Sequence, residues 1–168
     1  MAVNRYKDHL VIYLEDQPYR GIVNGVKTLP NVNDRVIDVR PPCGGWGKVF
    51  AELQDNLALL NARQKMHALL LMDFDNDFQA RKARFDSFLD KQACRDRVFL
   101  LGVDEKESED LKAALRQSNN EAVGKMLVRA CPEQRTQDWE NRHLYNNADE
   151  LNRMVAAGVF RWLFVRGA

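Results

Sequence analysis

The chain predicts a single α/β domain, a mostly parallel sheet of about four or five strands with helices against both faces. Three observations carry that expectation. Short apolar runs such as "HLVIYL" (9–14) and "HALLLMD" (67–73) have no polar alternation, as in strands covered on both sides. Segments with helical apolar spacing separate these runs, and the alternation continues to residue 117. The 168 residues suit one domain with a sizeable core.

The elements follow in order. "HLVIYL" is the first and central strand. "QPYRGIVNGVKTL" follows as a short helix with Pro18 in its first turn, although Gly21 and Gly25 each cost about 1 kcal/mol relative to Ala. "DRVIDVR" (34–40) reads as a second strand, stopped by Pro41 and Pro42. A glycine-rich loop then enters a helix carrying Val49, Phe50, Leu53, Leu57 and Leu60 at helical spacing. "HALLLMD" is the third strand, "DFQARKARFDSFLDKQ" a surface helix, "RVFLLGV" (97–103) the fourth strand and "ESEDLKAALRQ" its helix. From about residue 119 the chain turns towards Asn, Gln and Arg and is mostly helical. It ends in "ADELNRMVAAGVFRWLFVRGA", which suits a terminal helix on the sheet and a short last strand. The core thus covers roughly 9–115, with a helical extension over roughly 119–168.

Composition excludes several classes. Lys and Arg total 25 against 24 for Asp and Glu, so a net charge of +1 gives no global attraction to nucleic acid or membrane, and nucleic-acid binding must be local or metal-assisted. No segment reaches the roughly 20 apolar residues of a membrane span, and the N-terminus does not read as a signal peptide, so a soluble, cytoplasmic protein is expected. Cys43, Cys94 and Cys131 have no ligand spacing and suggest buried thiols. His9, His67 and His143 are scattered and support neither a triad nor a histidine metal site.

Acidic residues collect where chemistry is expected. In an open parallel sheet ligands bind beyond the carboxyl ends of the strands. Glu15 and Asp16 close the first strand, Asp73, Asp75 and Asp77 the third, and Asp104 and Glu105 follow the fourth. If these strands are neighbours, up to seven carboxylates share one edge, a repulsion that a divalent cation relieves. Mg²⁺ or Mn²⁺ suits hard oxygen ligands. On an extended chain Asp73 and Asp75 point to one side and can cradle an ion. Asp77 fits a cap of the next helix, and an acidic turn after a buried strand accounts for the same residues without a metal.

A strand ending in Glu, a helix, a glycine-containing loop and a later strand ending in D-x-D is the order of the Toprim domain, the metal-binding module of topoisomerases, primases, small RNA-maturation nucleases and OLD-type nucleases. "VIYLEDQPYRGIV" resembles its first motif and "LLLMDFDND" its second. Asp16 stands where the family's glutamate is usually followed by Gly. The likeness spans roughly residues 9–115 and implies a three-layer, Rossmann-like fold. It implies Glu15, Asp73 and Asp75 as metal ligands and catalytic residues, Mg²⁺ (or Mn²⁺) as cofactor, and nucleic-acid phosphodiesters as substrate. A Mg²⁺-dependent nuclease of genome maintenance or phage defence follows from it, with an ATPase as partner protein and a homodimer as a further expectation. The segment 97–155 looks like the C-terminal half of small bacterial proteins of this type.

"CGGWGKVF" offers phosphate contacts through Gly45, Gly47 and Lys48 before a helix N-terminus. It is not a Walker A loop, because Val49 stands where Ser or Thr is needed, and a plain turn into a helix explains it equally well. Arg81, Lys82 and Arg84 form the best basic patch, which a solvated helix face also explains, and Trp46 reads as packing. "DWENRHLYNN" is either a surface contact or a buried hydrogen-bond network. Two other functions stay open: a Toprim-like module that binds a partner or regulates without catalysis, and a haloacid-dehalogenase-like phosphatase with Asp73 as nucleophile and Asp75 as acid.

Overall fold

The computed structural model describes residues 3–104, 108–133, 135 and 137–165, with the side chains of residues 108 and 109 left out. Glu105, one of the acids at the strand ends, lies outside the described residues.

Four strands are described: β1 (His9–Leu14), β2 (Ile37–Val39), β3 (Met66–Asp73) and β4 (Val98–Val103). They pair in the order β2-β1-β3-β4, all parallel. The described helices are α1 (Gln17–Lys27), α2 (Trp46–Ala62), α3 (Phe78–Leu89), α4 (Ser108–Ala114), α5 (Asn120–Val128), α6 (Ala148–Ala156) and α7 (Val159–Leu163).

Strand residues alternate between two cores, because successive side chains leave opposite faces of a sheet. Leu10, Ile12, Leu14, Leu69, Leu71 and Leu101 pack on one side under α1 and the C-terminal helices. Val11, Tyr13, Leu70, Met72 and Leu100 pack on the other under α2 and α3. This is the expected three-layer α/β arrangement with both sheet faces covered.

Chain order reverses direction across the sheet between β1 and β3: β2 lies on one side of β1, whereas β3 and β4 lie on the other. A crevice forms beyond the carboxyl ends of the strands at such a switch point. Glu15 and Asp73 stand there.

Three differences from the expected elements have local causes. The second strand is shorter than 34–40, since Asp34–Val36 form a 3-10 turn before β2 begins at Ile37. The terminal helix is divided: Gly158, at φ 74°, ends α6 and starts α7. The last strand is reduced to one antiparallel bridge between Val32 and Phe164.

The glycines of α1 repay their helix cost by close approach. A Cβ on Gly25 would stand 2.0 Å from the Glu121 carbonyl oxygen, and one on Gly124 of α5 would stand 2.0 Å from that of Ile22. α1 and α5 therefore touch backbone to backbone, and Ala is excluded at both positions.

Candidate active site at the carboxyl edge of β1 and β3

Glu15 continues the ladder that β1 and β3 begin. Its amide donates to the Leu71 carbonyl at 2.9 Å, and its Oε2 accepts the Asp73 amide at 2.7 Å. The carboxylate thus lies beside Asp73 by strand register. Asp16 starts α1 with φ −148°, an extended conformation open to any residue.

Tyr19, in the first turns of α1, is 4% exposed and points its hydroxyl at the site. The hydroxyl donates to Asp73 Oδ1 at 2.6 Å. Burial, then the Asp73 charge, pushes the phenol well above its ordinary range.

Burial is also the largest influence on Asp73, whose carboxyl is pushed up to about 7. The Tyr19 hydroxyl opposes the rise, while the charges of Glu15, Asp16 and Asp75 add to it. Glu15 is raised as well, first by burial, against which the Asp73 amide works. A carboxyl raised in this way occurs both at functional sites and in internal polar networks.

Beyond Asp73 the chain does not stay extended. Phe74 is fully buried, and Asp75 and Asn76 adopt left-handed backbone at φ 51° and 57°. Asp and Asn tolerate that region best among residues with a Cβ. The same-side geometry of an extended D-x-D is therefore absent. Asp75 Oδ2 instead accepts from the Arg81 guanidinium at 3.0 Å. Its charge still reaches Glu15 and Asp73 and contributes to raising both. Asp77 caps α3, its Oδ1 accepting the Ala80 amide at 3.4 Å.

Gly44 and Gly45 have φ of 82° and 146°, which L side chains rarely adopt, and they fold the loop back beside β1. The Cys43 amide donates to the Leu14 carbonyl and the Gly44 amide to that of Glu15, each at 2.8 Å. Gly45, Gly47 and exposed Lys48 are thereby placed next to Glu15 at the N-terminus of α2, with open space over Gly45 and Gly47. Trp46 is packed: it meets Phe50 edge-on at 6.1 Å, and Arg81 lies 3.9 Å over its ring. The basic patch is similarly engaged, with Lys82 bonded to Asp86 and Arg84 over the rings of Trp46, Phe50 and Phe88.

Asp104 follows β4 and is buried, its Oδ1 accepting from Asn146 at 2.7 Å. "DWENRHLYNN" is divided: His143, Leu144 and Asn147 are buried, whereas Glu140, Arg142 and Tyr145 are exposed. Asn147, fully buried, donates to the Gly102 carbonyl and accepts the Gly102 amide, both at 2.8 Å. These bonds hold the segment to the outer edge of β4.

Among the described residues no group of three or more His, Cys, Asp or Glu is gathered as a ready metal cluster. Glu15 and Asp73 are together, and Asp75 is turned to Arg81. Tyr19 and the Arg81–Asp75 pair were not foreseen in these roles. Only the sequence position of Tyr19, one helical turn after the strand-end acids, hinted at its part.

Comparison with protein-family models, with curated proteins and with solved structures returned no match. Among the described residues no helix is long and apolar enough to cross a membrane.

Proposed function

We propose that the β1/β3 edge is the active site of a Mg²⁺-dependent, Toprim-type nuclease acting on nucleic-acid phosphodiesters. The observation that carries this reading is the Glu15–Asp73 pair at the switch point, two partly buried carboxyls whose charges disfavour one another. Such a pair fits one hydrated Mg²⁺, which binds through one or two carboxylates and keeps several waters. Tyr19 holds Asp73 Oδ1, and the Asp73 and Trp46 amides both act on the Glu15 carboxylate, so a cation would take the other Asp73 oxygen and share Glu15 with these donors. Bound there, Mg²⁺ supplies Lewis-acid polarisation of the phosphate and a more acidic water.

The chain's own residues supply the rest. Tyr19 fixes the orientation of Asp73, and the open backbone of Gly45 and Gly47 with Lys48 faces a phosphate. Asp75 joins the ligands only on leaving Arg81.

Calorimetric titration with Mg²⁺ or Mn²⁺ tests the reading. Because Asp73 must lose its proton near pH 7, affinity should rise about tenfold from pH 6 to pH 8. The paired change Glu15→Gln with Asp73→Asn should abolish binding, and with it cleavage of single-stranded, duplex or structured nucleic acid. No binding at millimolar metal overturns the proposal.

The Arg81–Asp75 pair favours a second reading, a Toprim-like module that binds a partner without catalysis and uses its acids as internal polar ties. It expects no metal binding but loss of stability in the same variants.

A further inference from the structure

A groove of about 520 Å³ runs along β2, between α1 and the C-terminal half of α2. It shares no lining residue with the acidic edge. Arg20 and Lys27 of α1 stand seven residues apart, two turns along one helix face, and both line it. Arg63, just past α2, and Arg5 close its lower end, and Arg40 lies at the carboxyl end of β2. Asp38 is the one carboxylate among the described lining residues, and it is ion-paired with Arg40 at 3.5 Å.

The charges are unbalanced for a chain of net charge +1. The side chains of Arg5, Arg20, Lys27 and Arg63 have no carboxylate partner among the described residues. Cations gathered in one groove repel each other, and their field concentrates anions there. Arg5 and Arg63 also border a neighbouring hollow with Tyr6, a residue that is 94% exposed. An aromatic ring left in water beside unpaired arginines matches the way proteins hold single strands, with a basic channel for the backbone and a ring for a base.

We propose that this groove binds a single nucleic-acid strand, the cations on its phosphates and Tyr6 stacked on a base. A single strand is specified because the Tyr6 ring can stack only on an unpaired base. Binding of this kind needs no metal. If the acidic edge also cleaves, Arg40 leads the strand towards it, since the following loop is hydrogen-bonded to Leu14 and Glu15.

The test is fluorescence anisotropy of labelled oligothymidylate with the full chain in EDTA, so that neither metal binding nor cleavage intervenes. The triple change Arg20→Gln, Lys27→Gln, Arg63→Gln should weaken binding at least tenfold. It should also flatten the dependence of log affinity on log salt by about 2, at about 0.7 for each phosphate that the variant no longer neutralises. Tyr6→Ala should weaken binding about tenfold and leave the salt slope unchanged. Circular dichroism melting at the wild-type temperature shows that the variants are folded. The proposal is overturned by no binding of the wild type at low salt, by a folded triple variant that binds as well as wild type, by preference for duplex, or by heparin binding equally tightly with Tyr6→Ala silent.

Discussion

Asp73 balances opposed influences, and the balance is open to titration. Burial and three neighbouring charges raise its carboxyl, while the Tyr19 hydroxyl pulls it down, for a net position of about 7. A folded-state value above the unfolded one, near 3.9, means that the folded chain binds the extra proton. Stability from this group is fully present below about pH 4 and is lost as pH rises through about 7. Asp73→Asn keeps an acceptor for Tyr19 but cannot ionise. Without metal, the wild type should lose roughly 2–3 kcal/mol between pH 5 and pH 8, about 5–10 °C in melting temperature, and the variant should stay nearly flat. Thermal scans across that range decide it; equal slopes would place the titration elsewhere. Tyr19, the residue that tunes this value, could not be assigned from sequence, because its partner lies 54 positions away.

β4 is an edge strand, yet its outer backbone groups are not left to water. Arg153 donates to the Val98 carbonyl at 3.3 Å, Glu150 accepts the Leu100 amide at 3.0 Å, Asn147 serves both groups of Gly102, and the His143 carbonyl takes the Asp104 amide. Every second residue of β4 is thus met by the C-terminal segment, largely through side chains standing in for a fifth strand, which also blocks edge-to-edge pairing. Sequence revealed polar density in "DWENRHLYNN" but not this use, since an edge ladder has no periodicity of its own. The strands, by contrast, were legible because unbroken apolar runs have few alternatives at that length. Asn147→Ala would leave the Gly102 amide and carbonyl buried without partners, at about 1–3 kcal/mol for each group. Chemical denaturation should show about 3 kcal/mol lost, with the Gly102 amide exchanging faster with solvent. A loss under about 0.5 kcal/mol would mean that water replaces the carboxamide.

At the scale of the molecule, alternation of strands and helices set the layers, and the carboxyl ends of neighbouring strands brought Glu15 to Asp73 as the acid pattern suggested. What pattern alone could not supply was the left-handed backbone at Asp75 and Asn76 beside which Asp75 meets Arg81, because apolar and polar spacing carries no information on the φ of a single turn residue. Nor could it weigh the segment after residue 119. That segment contributes Val123, Leu127, Leu151, Met154, Phe160 and Leu163 to the core on one sheet face. Burying side chains of this kind contributes about 1.5–3 kcal/mol each, so together they supply about 10 kcal/mol, comparable with the whole stability of a domain. With α5 seated on α1 at Gly25 and Gly124, the C-terminal helices should therefore be part of the folding unit. The full chain is expected to unfold in one transition, with near- and far-ultraviolet circular dichroism coinciding. A fragment ending at residue 117 would expose the face formed by Leu10, Ile12, Leu69 and Leu101. It should bind a hydrophobic dye, lose near-ultraviolet signal and melt without a sharp midpoint. A fragment that kept a cooperative transition would instead make the C-terminal helices a dispensable cover.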